Sequence, residues 1–153
     1  MITGLHHVNI LVPAGTLDAA REFYGETLGL TPRPVPQLQR DSLAWFDIAS
    51  SGQQLHVAFG RESDFTEESR KAARHPCFRI ENAEKLLELQ KRIWAHFQSA
   101  LTAGTGSDSE SGRIGAPTEC DRPGGENSGD KGVEYPTRFF ARDYAGNRLE
   151  FTL

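Results

Sequence analysis

The 153-residue chain is poor in cysteine: Cys77 and Cys120 lie far apart and form neither a CxxC pair nor part of a dense framework. That excludes a disulfide scaffold and leaves two free thiols, as suits a reducing compartment. Long apolar runs are also missing, and the opening MITGLHHVNILV has no basic segment, uninterrupted apolar core or cleavage signal. A cytoplasmic protein without a membrane partner is expected. There is no basic excess either, since 17 Lys and Arg face 21 Asp and Glu for a net charge of −4. Nucleic acid is excluded as a partner, because phosphate neutralisation by a basic stripe supplies most of such affinity. The length suits one ordinary domain.

What the chain does have is alternation. Side chains on a strand point to opposite faces in turn. Val8, Ile10 and Val12 therefore oppose His7, Asn9 and Leu11, and Leu55, Val57 and Phe59 oppose Gln54, His56 and Ala58. Likewise Phe78 and Ile80 oppose His75, Cys77 and Arg79, while Leu149 and Phe151 oppose Arg148, Glu150 and Thr152. If the apolar phases bury against helices, His7, His56, His75 and Glu150 share the other face of the sheet. Three imidazoles and a carboxylate converging there would bind a divalent metal ion. His6 falls in the helix-facing phase and His96 on a helix, so neither joins that set.

Between these runs the order of elements repeats. A first strand ends at Pro13, and Leu17, Ala20, Phe23, Tyr24 and Leu28 then recur at helical spacing up to Gly29. Three prolines between Thr31 and Pro36 allow only an edge or irregular strand, and residues 42–48 and 53–59 read as a hairpin. Residues 60–74 read as a charged connector. The second copy opens with HPCFRI, continues through a helix capped by Asn82 with Leu86, Leu89, Ile93, Phe97 and Leu101 on its apolar face, and closes with PTRFFARD, a turn at Tyr144 to Asn147, and RLEFTL. Residues 102–134 hold eight of the 15 glycines and a run of Ser, Asp and Glu. This predicts a disordered insertion, as a mobile surface loop or a lid over the cavity.

His7 and His56 are 49 residues apart and His75 and Glu150 are 75 apart, a difference of 26 that the low-complexity tract nearly accounts for. The sequence thus predicts an α+β domain over 1–153. Two βαβββ modules, about 4–59 and 75–153, would form an open, cupped mixed sheet with helices on its outer face.

GLHHVNILV, AAREFYGETLGL, AWFDI, QQLHVAF, HPCFRI and FFARDYAGNRLEF together resemble the vicinal oxygen chelate superfamily, which includes glyoxalase I, fosfomycin- and bleomycin-resistance proteins and extradiol dioxygenases. The most specific stretch is the aromatic-rich strand followed by D-x-x-G-N-x-L-E-F. The resemblance implies one divalent ion (Zn, Ni, Co, Mn or Fe) held by first-strand His7 and His75 and last-strand His56 and Glu150, with His56 as the optional fourth ligand. It also implies Glu150 as a base that leaves the metal, a small-molecule substrate, and a homodimer in which modules are sometimes exchanged. Asn9, Trp45, Cys77, Arg79 and Arg138 become candidates for the pocket lining. A glyoxalase-like lyase or isomerase is expected, with an Fe(II) extradiol-type dioxygenase and a drug-sequestering protein of the bleomycin-resistance type as alternatives. No basic residues follow Glu150 to hold a phosphonate, which argues against the fosfomycin branch.

Overall fold

A computed structural model describes residues 1–102, 114–129 and 137–153. Module 1 comprises β1 (His7–Val12), α1 (Leu17–Ala20) continuing as a π-helical segment Arg21–Thr27, β2 (Thr31–Arg33), β3 (Leu43–Asp47) and β4 (Gln54–Phe59). A 3-10 turn (Glu62–Phe65) and α2 (Glu67–Lys71) lead to module 2, made of β5 (Cys77–Arg79), α3 (Ala83–Thr102), β6 (Glu119–Cys120), β7 (Arg138–Arg142) and β8 (Arg148–Thr152). Each module forms a four-stranded mixed sheet, ordered β1-β4-β3-β2 and β5-β8-β7-β6, with the first and last strands of each copy in chain order, β1 with β4 and β5 with β8, pairing in parallel. Neither sheet closes into a barrel, and the α+β architecture with its internal repeat is the one the sequence predicts.

The registers of the two sheets correspond. His56 lies beside Asn9 and Trp45, and Glu150 lies beside Cys77 and Phe140. His7 and His75 each stand two residues before those first-strand neighbours, so the ligand candidates occupy equivalent places. Their phase follows from burial of the other one. Ile10, Val12, Ala44, Phe46, Leu55 and Val57 from module 1 and Phe139, Ala141, Leu149 and Phe151 from module 2 enter one core with Phe23, Tyr24, Leu86, Leu89 and Ile93 of the helices. Removing this surface from water is the main favourable term. Phe139 and Phe151 stack at 4.8 Å between ring centres, adding about 0.5–1.5 kcal/mol beyond area.

Some expectations need correction. Leu101 was expected on the buried face of α3 but is exposed, because the last turn runs past the sheet it covers, while Gln90 is buried and donates to the Asp121 carbonyl. The 60–74 connector contains helical turns, α2 being started by Thr66, whose hydroxyl accepts from the Ser69 N–H. The insertion predicted over 102–134 is not uniformly without structure. Thr102 ends α3, and residues 114–129 carry β6, with Asp121 and Asn127 buried. Residues 103–113 and 130–136 lie outside the described residues. The structure of 114–129 has a physical reason: Asp121 replaces water as a partner for backbone. Its carboxylate accepts from the N–H groups of Ser128 (2.9 Å) and Phe140 (2.8 Å).

The final turn fixes one module against the other. Asp143, fully buried, accepts from the N–H groups of Ala145 and Asn147 on one oxygen, and from the Tyr24 hydroxyl (2.6 Å) and the Asn147 amide (2.9 Å) on the other. The Asn147 amide also donates to the Leu11 carbonyl at 2.8 Å. Gly146 has φ +89°, and a Cβ there would stand 2.9 Å from the Arg70 side chain, so only glycine fits the turn without strain. Burial pushes the Asp143 carboxyl upward and these donated bonds pull against it. A second tie joins the helices, where His96 Nε2 lies 2.7 Å from Glu22 and Nδ1 lies 2.8 Å from the Thr27 hydroxyl. Among the described residues no helix is long and apolar enough to cross a membrane.

Tyr24→Phe removes one of the donors to a buried carboxylate while keeping the ring. A loss of about 1.5–3 kcal/mol of unfolding free energy is expected in urea denaturation; an unchanged midpoint would show that the Tyr24–Asp143 bond contributes nothing to the joint.

Candidate metal and substrate site

On the polar face of module 1, strand pairing places Trp45, His56 and His7 in a row. The His7 and His56 rings stack at 4.1 Å and the Trp45 and His56 rings at 4.6 Å, both within 11° of parallel. Gln54, also on β4, accepts from His56 Nε2 at 2.9 Å and turns its own amide to Asp47, also at 2.9 Å. Nε2 of His56 then carries the proton and Nδ1 keeps its lone pair, the state a metal ligand needs. Partial burial lowers the pKa of His56, and the neighbouring His7 and His6 lower it further, which favours the neutral ring. The indole N–H of Trp45 is buried without a partner among the described residues. Asn9 stands exposed beside His56 on β1.

On module 2 the equivalent pair is His75 and Glu150. His75 Nε2 lies 2.9 Å from Glu150 Oε2 while its Nδ1 faces the Ala73 carbonyl at 2.5 Å. Arg138 approaches the other Glu150 oxygen at 3.4 Å, and the thiol of Cys77 donates to the same carboxylate. Burial raises the pKa of Glu150, yet the bonds from His75 and Cys77 and the charge of Arg138 more than offset it and leave the acid below its ordinary range. The Cys77 thiol is pushed up to about 11, by burial first and by Glu150 second, so it serves as a donor and not as a nucleophile. Arg79 is exposed at the end of β5.

The four ligand candidates thus come together as two pairs, one per module. Among the described residues of one chain, no three His, Cys, Asp or Glu converge closely enough to hold an ion. A groove of 720 Å³ runs between the modules, bordered by His7 and Gln54 on one side and Cys77, Arg79 and Thr152 on the other. Asn9 and His75 border a neighbouring groove of 660 Å³. In donor chemistry the residues suit a divalent ion, since imidazole nitrogens and a carboxylate oxygen match the preferences of first-row metals; His75, both of whose nitrogens face acceptors here, would turn Nε2 from Glu150 to the ion.

Sequence reasoning passed over two residues of this face. Phe140, directly opposite Glu150, has its ring edge-on to His75 at 5.5 Å, and Arg148 lays its guanidinium over the same ring at 4.2 Å. Arg148 shares the phase of Glu150, which was a usable signal. Phe140 was hidden by Phe139, since two adjacent phenylalanines do not reveal which one faces the core.

In metal-free protein at pH 8, a Cys77 pKa of about 11 instead of the ordinary 9.0 leaves about 100-fold less thiolate. Disulfide-exchange labelling of Cys77 is expected to be correspondingly slow and to accelerate in Glu150→Gln, whose amide no longer holds the thiol proton by charge. Labelling at the same rate in both proteins would contradict the contact.

No family model matches the sequence, and no curated protein does. Solved structures do match in shape. A protein assigned to the glyoxalase family of Bacillus anthracis is 24% identical with a TM-score of 0.59, over 99% of this chain and 94% of its own. Lactoylglutathione lyase from Agrobacterium tumefaciens is 19% identical with a TM-score of 0.55, over 99% and 93%. A mutant of the fosfomycin resistance protein FosX from Listeria monocytogenes, complexed with Mn(II) and 1S,2S-dihydroxypropylphosphonic acid, is 16% identical with a TM-score of 0.58, over 99% and 90%. Two repeated βαβββ modules with matching register, together with these likenesses along nearly the whole chain, give the protein the fold of these glyoxalase-family, lactoylglutathione lyase and fosfomycin-resistance structures.

Proposed function

We propose that this chain is a divalent-metal-dependent enzyme of the glyoxalase-like type, a lyase or isomerase acting on a small oxygenated molecule. His7 and His56 would supply one half of the ion's ligands, and His75 and Glu150 the other. The supporting observation is the division itself: equivalent positions of the two modules each present a ready pair, and the described residues of one chain do not gather them into one group. Half-sites of this kind are completed when the module 1 pair of one chain meets the module 2 pair of a second, so a homodimer is part of the proposal.

When bound, the ion supplies Lewis-acid charge for an anion developing on adjacent substrate oxygens. The chain's own groups do the rest. Glu150 is the proton acceptor, held as a carboxylate by His75, Cys77 and Arg138. Gln54 fixes the tautomer of His56, and Trp45 covers that ring and keeps water from one side of it.

A second reading, sequestration of a planar drug without catalysis, draws support from the aromatic row of Trp45, His56 and His7. Metal binding separates the two. The wild type should take up Mn(II), read by paramagnetic resonance, whereas His7→Ala/His56→Ala and His75→Ala/Glu150→Gln should each fall by 100-fold or more in affinity. When those two variants are unfolded and refolded together, a site shared between chains is restored in mixed dimers, one per dimer. Restoration absent from the mixture while the wild type binds would mean that both pairs come from one chain. A wild type that binds no divalent ion would favour sequestration.

A further inference from the structure

Beside Glu150 lies a second polar feature with no role in holding an ion. A cavity of 340 Å³ opens on β6, β7 and β8, bordered by Ser128, Phe140, Arg142 and Arg148 together with Glu119 and Asp121. Its two arginines and two acids sum to zero, but they are partnered differently. Asp121 spends both oxygens on backbone N–H groups. Glu119 pairs with Arg142 at 3.3 Å, and Arg142 also donates to the Gly146 carbonyl. Among the described residues Arg148 has only the Phe140 ring beneath it and a long 3.4 Å contact to the Ser128 carbonyl, and no carboxylate there pairs with it.

A guanidinium carries five N–H donors in a flat fork that matches a carboxylate two bonds at a time. Lying on an aromatic face fixes its plane in advance, so less freedom is lost when an anion arrives. The same Phe140 ring meets His75. Arg148 and Glu150 start two residues apart on one face of β8, about 6–7 Å, which one small molecule can span.

We propose that Arg148, seated on Phe140, is the specificity-determining residue that receives a carboxylate of the substrate while the molecule's other end lies at His75 and Glu150. The substrate class is thereby narrowed to small oxygenated acids. This rests on the metal-site reading for what happens at Glu150, but the anion subsite belongs wholly to module 2 and can be tested without metal.

The test is a nitrogen-15 NMR titration of the metal-free wild type with propionate, and with propionamide as its uncharged isostere. Propionate should move the Phe140 amide and Arg148 Nε resonances with saturation, and propionamide should not. Arg148→Gln should weaken propionate binding fivefold or more and Arg148→Lys should retain part of it, while Arg79→Gln, on the other groove, should change it less than twofold. Equal responses to propionate and propionamide, a loss under fivefold in Arg148→Gln, or a greater loss in Arg79→Gln would overturn the assignment. Because no metal is present, failure here is distinct from failure to bind Mn(II), which would strike the metal-site reading alone.

Discussion

The buried carboxylate of Asp143 is the constraint around which the two halves are arranged. A charge taken out of water is tolerable only if donors surround it. Here they come from the turn's own backbone, from Asn147, and from Tyr24 on the helical segment of the other module. Because Asn147 also reaches the Leu11 carbonyl of β1, the turn that begins β8 is registered against module 1 by polar bonds, which have direction. Apolar packing between the helices, which is less directional, then fills the space that this registration leaves. The position of Glu150, three residues beyond Asn147, follows from it.

Much of this was legible in the sequence. A period of two along a strand assigns faces without any knowledge of partners, so the phase of His7, His56 and Glu150 could be read directly. His75 was harder. It precedes the hydrogen-bonded part of β5, which begins at Cys77, yet the Glu150 N–H bonds to the Pro76 carbonyl and brings the ring into reach. What alternation cannot give is the distance between one sheet and the other, because that depends on how the modules pack. The convergence of four ligands was therefore an inference from symmetry, whereas the pairing within each module was a consequence of register.

The polar tract after α3 shows the opposite limit. Composition argues that such a stretch cannot repay its ordering entropy. Residues 114–129 escape that argument because their polar side chains bond backbone: Asp121 takes two N–H groups, and Asn127 accepts from the Gly129 N–H. Gly129 lies so close to the Phe140 ring that no side chain could stand there, so a glycine that looked like low complexity is a packing requirement. Counting residue types does not distinguish a glycine that lets the chain move from one that lets it approach.

Module 1 places an imidazole, His56, where module 2 places a carboxylate, Glu150. If the proposed site held a divalent ion, three neutral rings and a single acid would cancel only half of its charge, leaving about one positive charge at the groove. A duplicated fold that kept an acid in both halves would present a neutral centre. Were an ion bound as proposed, this one difference between the copies would turn the centre from neutral to attractive for anions.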